Sequence, residues 1–339
     1  MLLAGSAPGP RGGLGCRFGS GRTLGYTAAT RRRAPAGFPV TMAIFFSDRA
    51  RVVLALCLWA HCVAGQPALG ATAPRPVTRR LSLEVSIRGP LGWPVHRAMA
   101  LTVVEPPAAR HCPFLVILHG RPGSVDARVR MGLVEFPGNA DYFARLGYVV
   151  LVPTRVGYGV TGGPDIEYTG PCFYKDYGRG MEMVVQELRQ VMRYAAALPG
   201  VDPRRGLVVG DSFGGVAAMA AAAAGLPGLR GAVNFSGGDG GDLMHHIDHP
   251  CRADQMASTL AAYGRRDRVP TLWLYSANDR YWGAQAPRRW FDAFVGAGGR
   301  GRFIELPADK NNGHFIFNRN PQAWHGAFEA FAASLGLPS

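Results

Sequence analysis

Residues Gly210-Asp211-Ser212-Phe213-Gly214-Gly215 follow directly on the apolar run Gly206-Leu207-Val208-Val209 and open an alanine-rich stretch. A chain with this pattern is constrained to make a strand, a very tight turn and a helix in succession. The positions two before and two after such a serine must be small, and here both are glycine. The turn lifts the hydroxyl above the sheet edge, with the N-terminus of the helix beneath it. Strand before and helix after separate this nucleophile elbow from a chance Gly-x-Ser-x-Gly match.

A serine hydroxyl is a weak nucleophile until a base takes its proton, so Ser212 requires partners. In a sheet of this kind they come in the order serine, acid, histidine, each on a loop after a later strand. The apolar run at 270–275 leads into Ser276-Ala277-Asn278-Asp279, which makes Asp279 the expected acid. A second run, 302–306, leads into Asn311-Asn312-Gly313-His314, which makes His314 the expected base. Asp239 and Asp242 compete for the acid position, and His325 and His119 for the base. Asp279 is favoured because its strand immediately precedes it and the histidine loop follows 35 residues later. His325 lies within the expected terminal helix, and His119 reads as a structural residue. An oxyanion hole is expected from the N–H groups of Phe213 and Arg121, the latter in the turn His119-Gly120-Arg121-Pro122-Gly123 after the strand at 114–118. Pro122 has no N–H to give. One such donor is worth roughly 3 kcal/mol of transition-state stabilisation.

With these elements in order, the chain resembles the α/β-hydrolases and, within them, the dienelactone hydrolase-like group. The stretch from Asp202-Pro203-Arg204-Arg205 through Gly206-Leu207-Val208-Val209 to the elbow carries that likeness, which extends over about residues 80 to 337. Dienelactone hydrolases proper carry cysteine as nucleophile, whereas this chain has Ser212. The resemblance therefore implies serine esterase chemistry rather than dienelactone cleavage.

The expected fold is α/β: a mostly parallel, doubly wound sheet with helices on both faces and loop insertions forming a small cap. Residues 81–87 and 98–104 alternate apolar and polar positions, as two antiparallel edge strands do. The run at 148–152 is apolar on both faces and reads as central and parallel. Long connections at 154–177 and 236–269 fall beyond the carboxyl ends of strands, where such sheets bind ligands. Tyr158, Tyr174 and Trp282 are expected to line an apolar substrate pocket, and Tyr168 and Phe173 are further candidates. The run Met244-His245-His246-Ile247-Asp248-His249 has metal-ligating residue types, but no partner elsewhere completes a site, and neither metal nor cofactor is expected. The glycines at 236–241 lack the lysine and hydroxyl residue of a phosphate loop.

The net charge of +14 ordinarily points to nucleic acid or an anionic membrane. Half of it resides in residues 1–71, which hold eight arginines and one acid, Asp48, and the remainder shows few basic clusters, so no nucleic-acid partner is expected. Residues 1–41 lack helical or strand periodicity and read as a non-native or unstructured extension. From Met42 a charged segment, an apolar core at 52–60 and small residues near 63–71 make a secretory signal too short to span a membrane. Residues 72–339 then form the catalytic domain, periplasmic or secreted, without stable membrane insertion. An oxidising compartment permits one disulfide among Cys112, Cys172 and Cys251. Cys172 and Cys251, flanked by Pro171 and Pro250 in the two long connections, are the expected pair, with three thiols as the alternative. The expected activity is hydrolysis of a small or polymeric carboxylic ester through an acyl-enzyme. A peptidase, a cofactor-independent haloperoxidase and a non-catalytic cell-envelope binding protein are the alternatives.

Overall fold

The computed structural model describes residues 74–107 and 109–339. The expected extension at 1–41 and signal at 42–71 lie outside them. Eight strands form one sheet: β1 Val77–Arg88, β2 Pro94–Glu105, β3 Cys112–Leu118, β4 Val149–Pro153, β5 Val201–Asp211, β6 Leu229–Phe235, β7 Thr271–Ser276 and β8 Gly301–Leu306. Their order is β1-β2-β4-β3-β5-β6-β7-β8. The β1/β2 and β2/β4 pairs are antiparallel, and every later pair is parallel. β3, β4 and β7 are buried along their whole length, as continuous apolar strands covered on both faces must be.

Two expectations need adjustment. The strand expected at 98–104 is not at the edge: Leu101 to Val104 of β2 pair with β4, and only β1 lies outside it. The strand expected at 148–152 is parallel to β3 but antiparallel to β2. Alternation reports which faces a strand buries, not which strand lies beside it.

Helices α1 Val125–Val129, α2 Pro137–Arg145, α3 Tyr177–Ala197, α4 Phe213–Ala224, α5 Ala253–Gly264, α6 Ala286–Gly296, α7 Ile316–Arg319 and α8 His325–Ser334 complete the order. The packing of α3, α4, α5 and α6 makes the larger core on one face, and α2 and α8 close the other with Phe143, Trp324 and Phe328. α3 starts where the Asp176 carboxylate accepts a hydrogen bond from the Arg179 N–H. Every residue of α4 from Phe213 to Ala223 is buried, and alanine suits this position through its high helix propensity and small side chain.

The connection at 154–176 and the excursion that opens α5 meet through a disulfide, Cys172–Cys251. Cys112 at the start of β3 is a buried free thiol.

Candidate active site

Ser212 occupies the single residue between β5 and α4, with φ 56° and ψ −122°. A non-glycine residue in such a conformation costs on the order of 1–3 kcal/mol and persists only where its surroundings over-determine it. Here the Ser212 N–H donates to the Phe235 carbonyl at 2.9 Å, and the Ser212 carbonyl accepts from the Gly215 N–H at 2.8 Å. A Cβ on Gly210 would collide with the Gly214 carbonyl, and one on Gly214 with the Leu118 carbonyl. The two glycines are therefore required by close backbone approach. The Ser212 hydroxyl does not cap its own helix, which leaves it free to face the loops after β7 and β8.

Those loops bring His314 and Asp279 to it. His314 Nδ1 lies 3.0 Å from Asp279 Oδ2 and 3.2 Å from Oδ1, and His314 Nε2 lies 3.1 Å from Ser212 Oγ. A carboxylate only accepts, so Nδ1 carries the proton that points at Asp279, and Nε2 is left to accept from the serine hydroxyl. Asn312 holds the two loops in register, its Oδ1 accepting from the N–H groups of Arg280 and His314. The ring of Tyr281 lies 4.2 Å from that of His314, centroid to centroid, and Trp282 stands edge-on to it at 5.4 Å. Burial acts to lower the pKa of His314, but the Asp279 charge and hydrogen bond, with Asp211 beyond, outweigh it and raise it above the ordinary histidine value. Asp211 is itself pushed up to about 7 by burial; His314 opposes that shift and Asp279 adds to it.

The third side of the site is the turn after β3. A Cβ on Gly120 would stand 3.0 Å from Ser212 Cβ, so this backbone lies directly against the serine. Among the described residues no acceptor meets the Arg121 N–H, and Phe213 is the first residue of α4, whose N–H points out of the helix. The Arg121 side chain turns away to Asp165, at 2.9 and 2.5 Å, and to the Tyr158 hydroxyl at 3.1 Å. His119 is wholly buried; its Nδ1–H donates to the Gly120 carbonyl at 2.7 Å and its Nε2 accepts from the Arg155 N–H at 3.2 Å. Burial, aided by the nearby Arg155 charge, holds its pKa well below the usual value. It is thus a neutral brace for the turn.

Beneath the turn lies an ion pair with no motif to announce it. Arg155 and Glu167 have side chains 0% exposed and meet at 2.6 Å. Arg155 also donates to the His119 carbonyl at 2.7 Å, and the Tyr158 hydroxyl donates to Glu167 at 2.6 Å. Tyr158 is therefore committed to this network and lies beneath the site instead of lining a pocket. Tyr174, 67% exposed, is not part of the pocket lining either. Trp282 and Tyr168 do line the cavity that contains Ser212, a space of about 240 Å³ shared with Arg121, Thr169, Lys175, Asp239 and Tyr281. The lining thus joins the aromatic residues Tyr168, Phe213, Tyr281 and Trp282 to a polar set. A larger cavity of about 700 Å³ on the other side of Trp282 touches Asp279 but not Ser212.

The glycine run finds its explanation here. Cβ atoms on Gly238 and Gly241 would stand 2.6 and 2.7 Å from the Trp282 ring, whose Nε1–H donates to the Ser236 carbonyl at 2.7 Å. Bare backbone at these positions lets the indole lie flat against the wall of the cavity. Asp242 is occupied with His245, which it meets at 2.8 Å on the exposed rim, and His325 stacks on Tyr142 at 3.7 Å on the opposite face of the sheet. Cys172, His246 and Cys251 are clustered, but the disulfide leaves neither cysteine as a thiolate ligand.

The model of the dienelactone hydrolase family matches residues 102–275, slightly more than half of the chain, running from β2 through the elbow to β7. The chain belongs to the dienelactone hydrolase family. Among solved structures similar to this family member is the acylaminoacyl peptidase of Pyrococcus horikoshii, at 12% identity and TM-score 0.51, covering 78% of this chain and 42% of the peptidase. A protein described as a candidate dienelactone hydrolase from Klebsiella pneumoniae is 19% identical at TM-score 0.49, covering 76% and 99%. An esterase of Pyrococcus furiosus is 13% identical at TM-score 0.49, covering 75% and 90%. At such identities the likeness to the peptidase concerns fold alone, and the chain spans less than half of that peptidase's length. No curated protein matches the chain. The family member has the α/β-hydrolase fold and is a hydrolase.

Proposed function

We propose that this family member is a serine hydrolase that cleaves carboxylic esters through an acyl-enzyme. The observation that carries the reading is the hydrogen-bonded chain from Asp279 through His314 to Ser212, ending at a strained elbow beside two backbone donors that meet no acceptor among the described residues. Ser212 attacks the ester carbonyl as His314 Nε2 takes its proton. The N–H groups of Phe213 and Arg121 receive the charge that develops on the carbonyl oxygen. His314 then returns the proton to the departing alcohol, and water repeats the sequence on the acyl-enzyme. Asp279 holds the imidazole tautomer and stabilises the imidazolium between the two steps.

We further propose that the enzyme is exported. The signal-like segment from Met42 and the Cys172–Cys251 disulfide support this, since disulfides persist in oxidising compartments. No helix among the described residues is long and apolar enough to cross a membrane.

Fluorophosphonate labelling of wild type and Ser212→Ala, with turnover of p-nitrophenyl esters, tests the mechanism. The expected outcome is labelling lost in the variant together with a fall in kcat on the order of 10⁶-fold, the scale seen when a triad nucleophile is removed. A folded wild type that is not labelled, or a pure variant that retains turnover, refutes it.

A further inference from the structure

The cavity that holds Ser212 is lined in part by a cluster that the proposed reaction itself does not use. Lys175 is only 9% exposed, and a lysine is rarely buried unless paired. Its ammonium has three donors, of which one reaches Thr169 Oγ1 at 3.2 Å. Asp239 Oδ2 stands 3.8 Å away, close enough for attraction and too far for a hydrogen bond. The Thr169 hydroxyl gives its own proton to Asp239 Oδ2 at 2.5 Å, which leaves it a lone pair for the lysine. Asp239 Oδ1 accepts nothing from any described residue. Among the described residues, a cation with free donors and a carboxylate with a free acceptor oxygen therefore sit together in the lining of the nucleophile's cavity.

We propose that Lys175 and Asp239 recognise a hydroxyl group of the substrate. The inference rests on the serine hydrolase reading of Ser212 and names the substrate class for it: esters hydroxylated close to the scissile bond, on either the acyl or the alcohol side. A hydroxyl is the group that accepts from an ammonium and donates to a carboxylate at once. Both cations that line the cavity already face a carboxylate: Lys175 faces Asp239, and Arg121 is paired with Asp165 at 2.5 Å, which Arg128 shares at 3.5 Å. An alkyl substituent in this position would leave a nearly buried ammonium with Thr169 as its one hydrogen-bond acceptor among the described residues, and sites built to bond a hydroxyl discriminate strongly against its absence.

The test compares kcat/KM for two matched pairs by pH-stat titration. Ethyl lactate against ethyl propanoate probes the acyl side, and glycerol monoacetate against propyl acetate probes the alcohol side. The expected result is a preference for the hydroxylated member of at least one pair of tenfold or more, expressed chiefly in KM and reduced to near parity in both Lys175→Met and Asp239→Asn. Equal turnover within both pairs by the wild type overturns the proposal without any variant. A preference that survives in correctly folded variants also overturns it. Monoethyl succinate turned over faster than either hydroxylated ester assigns the cluster to a carboxylate and overturns it as well. Fluorophosphonate labelling in the same preparations separates the two layers of inference. A labelled wild type without preference removes only the substrate class, whereas an unlabelled folded wild type removes the hydrolase mechanism and this proposal with it.

Discussion

At the scale of single residues, the site is a set of conformations and protonation states held by neighbours. Ser212 keeps its strained backbone because Phe235 and Gly215 tie it on both sides and because Gly210 and Gly214 leave room for the turn. His314 is drawn toward protonation by Asp279, yet in the proposed mechanism it must be neutral to accept the serine proton. Activity is therefore expected to rise with pH along a limb set above about 6.5, the ordinary histidine value, and kcat/KM against pH reports that group in the free enzyme. Replacing Asp279 with Asn removes the charge that raises it. The limb is expected to move to lower pH while kcat falls on the order of 10⁴-fold, as the ring loses its orientation. A limb that stays in place in Asp279→Asn refutes the assignment of Asp279 as the group that tunes His314.

Among elements, the informative contact is between α3 and the loop that follows β4. Glu187 of α3 is buried, with Oε1 accepting the Val156 N–H at 2.9 Å, and Oε2 has no partner among the described residues. Burial pushes its pKa well above the usual range and the neighbouring Glu167 adds to this, while Arg155 and the Val156 N–H oppose it. A carboxyl whose pKa is raised in the folded state holds its proton there after the unfolded chain has released it. Stability is thus lost as pH rises above the unfolded value of about 4.3. Glu187→Gln keeps an acceptor for Val156 and removes the ionisation. The substitution is expected to leave the urea midpoint unchanged near pH 4 and to raise it at pH 7. A lower midpoint at pH 7 would mean that Glu187 serves the fold as a charge.

For the molecule as a whole, the disulfide Cys172–Cys251 joins positions 79 residues apart across the two long connections. The Cys251 N–H donates to the Gly240 carbonyl at 2.9 Å, and the Cys251 carbonyl accepts from the Tyr177 hydroxyl. The bridge thereby fastens the wall of the Ser212 cavity to the start of α3. The double replacement Cys172→Ser, Cys251→Ser is expected to cost roughly 2–4 kcal/mol of unfolding free energy by urea titration. An unchanged midpoint would mean that the packing around Tyr177 suffices alone. Much of this architecture is legible from local pattern. The elbow, the strands that precede Asp279 and His314, and the alanines of α4 each depend on residues a few positions apart, and steric rules over so short a span act the same way in any fold. Tyr158 and Tyr174 show where that reading stops: their aromatic rings suggest a pocket, yet one is locked onto Glu167 and the other is exposed. The pairing of β2 with β4, the Arg155–Glu167 ion pair and the approach of Lys175 to Asp239 were decided only by tertiary structure. Such contacts join residues whose separation in the chain carries no period and no motif. Sheet order and the paths of the long connections bring them together, and burial then makes each polar group depend on the particular partner it meets.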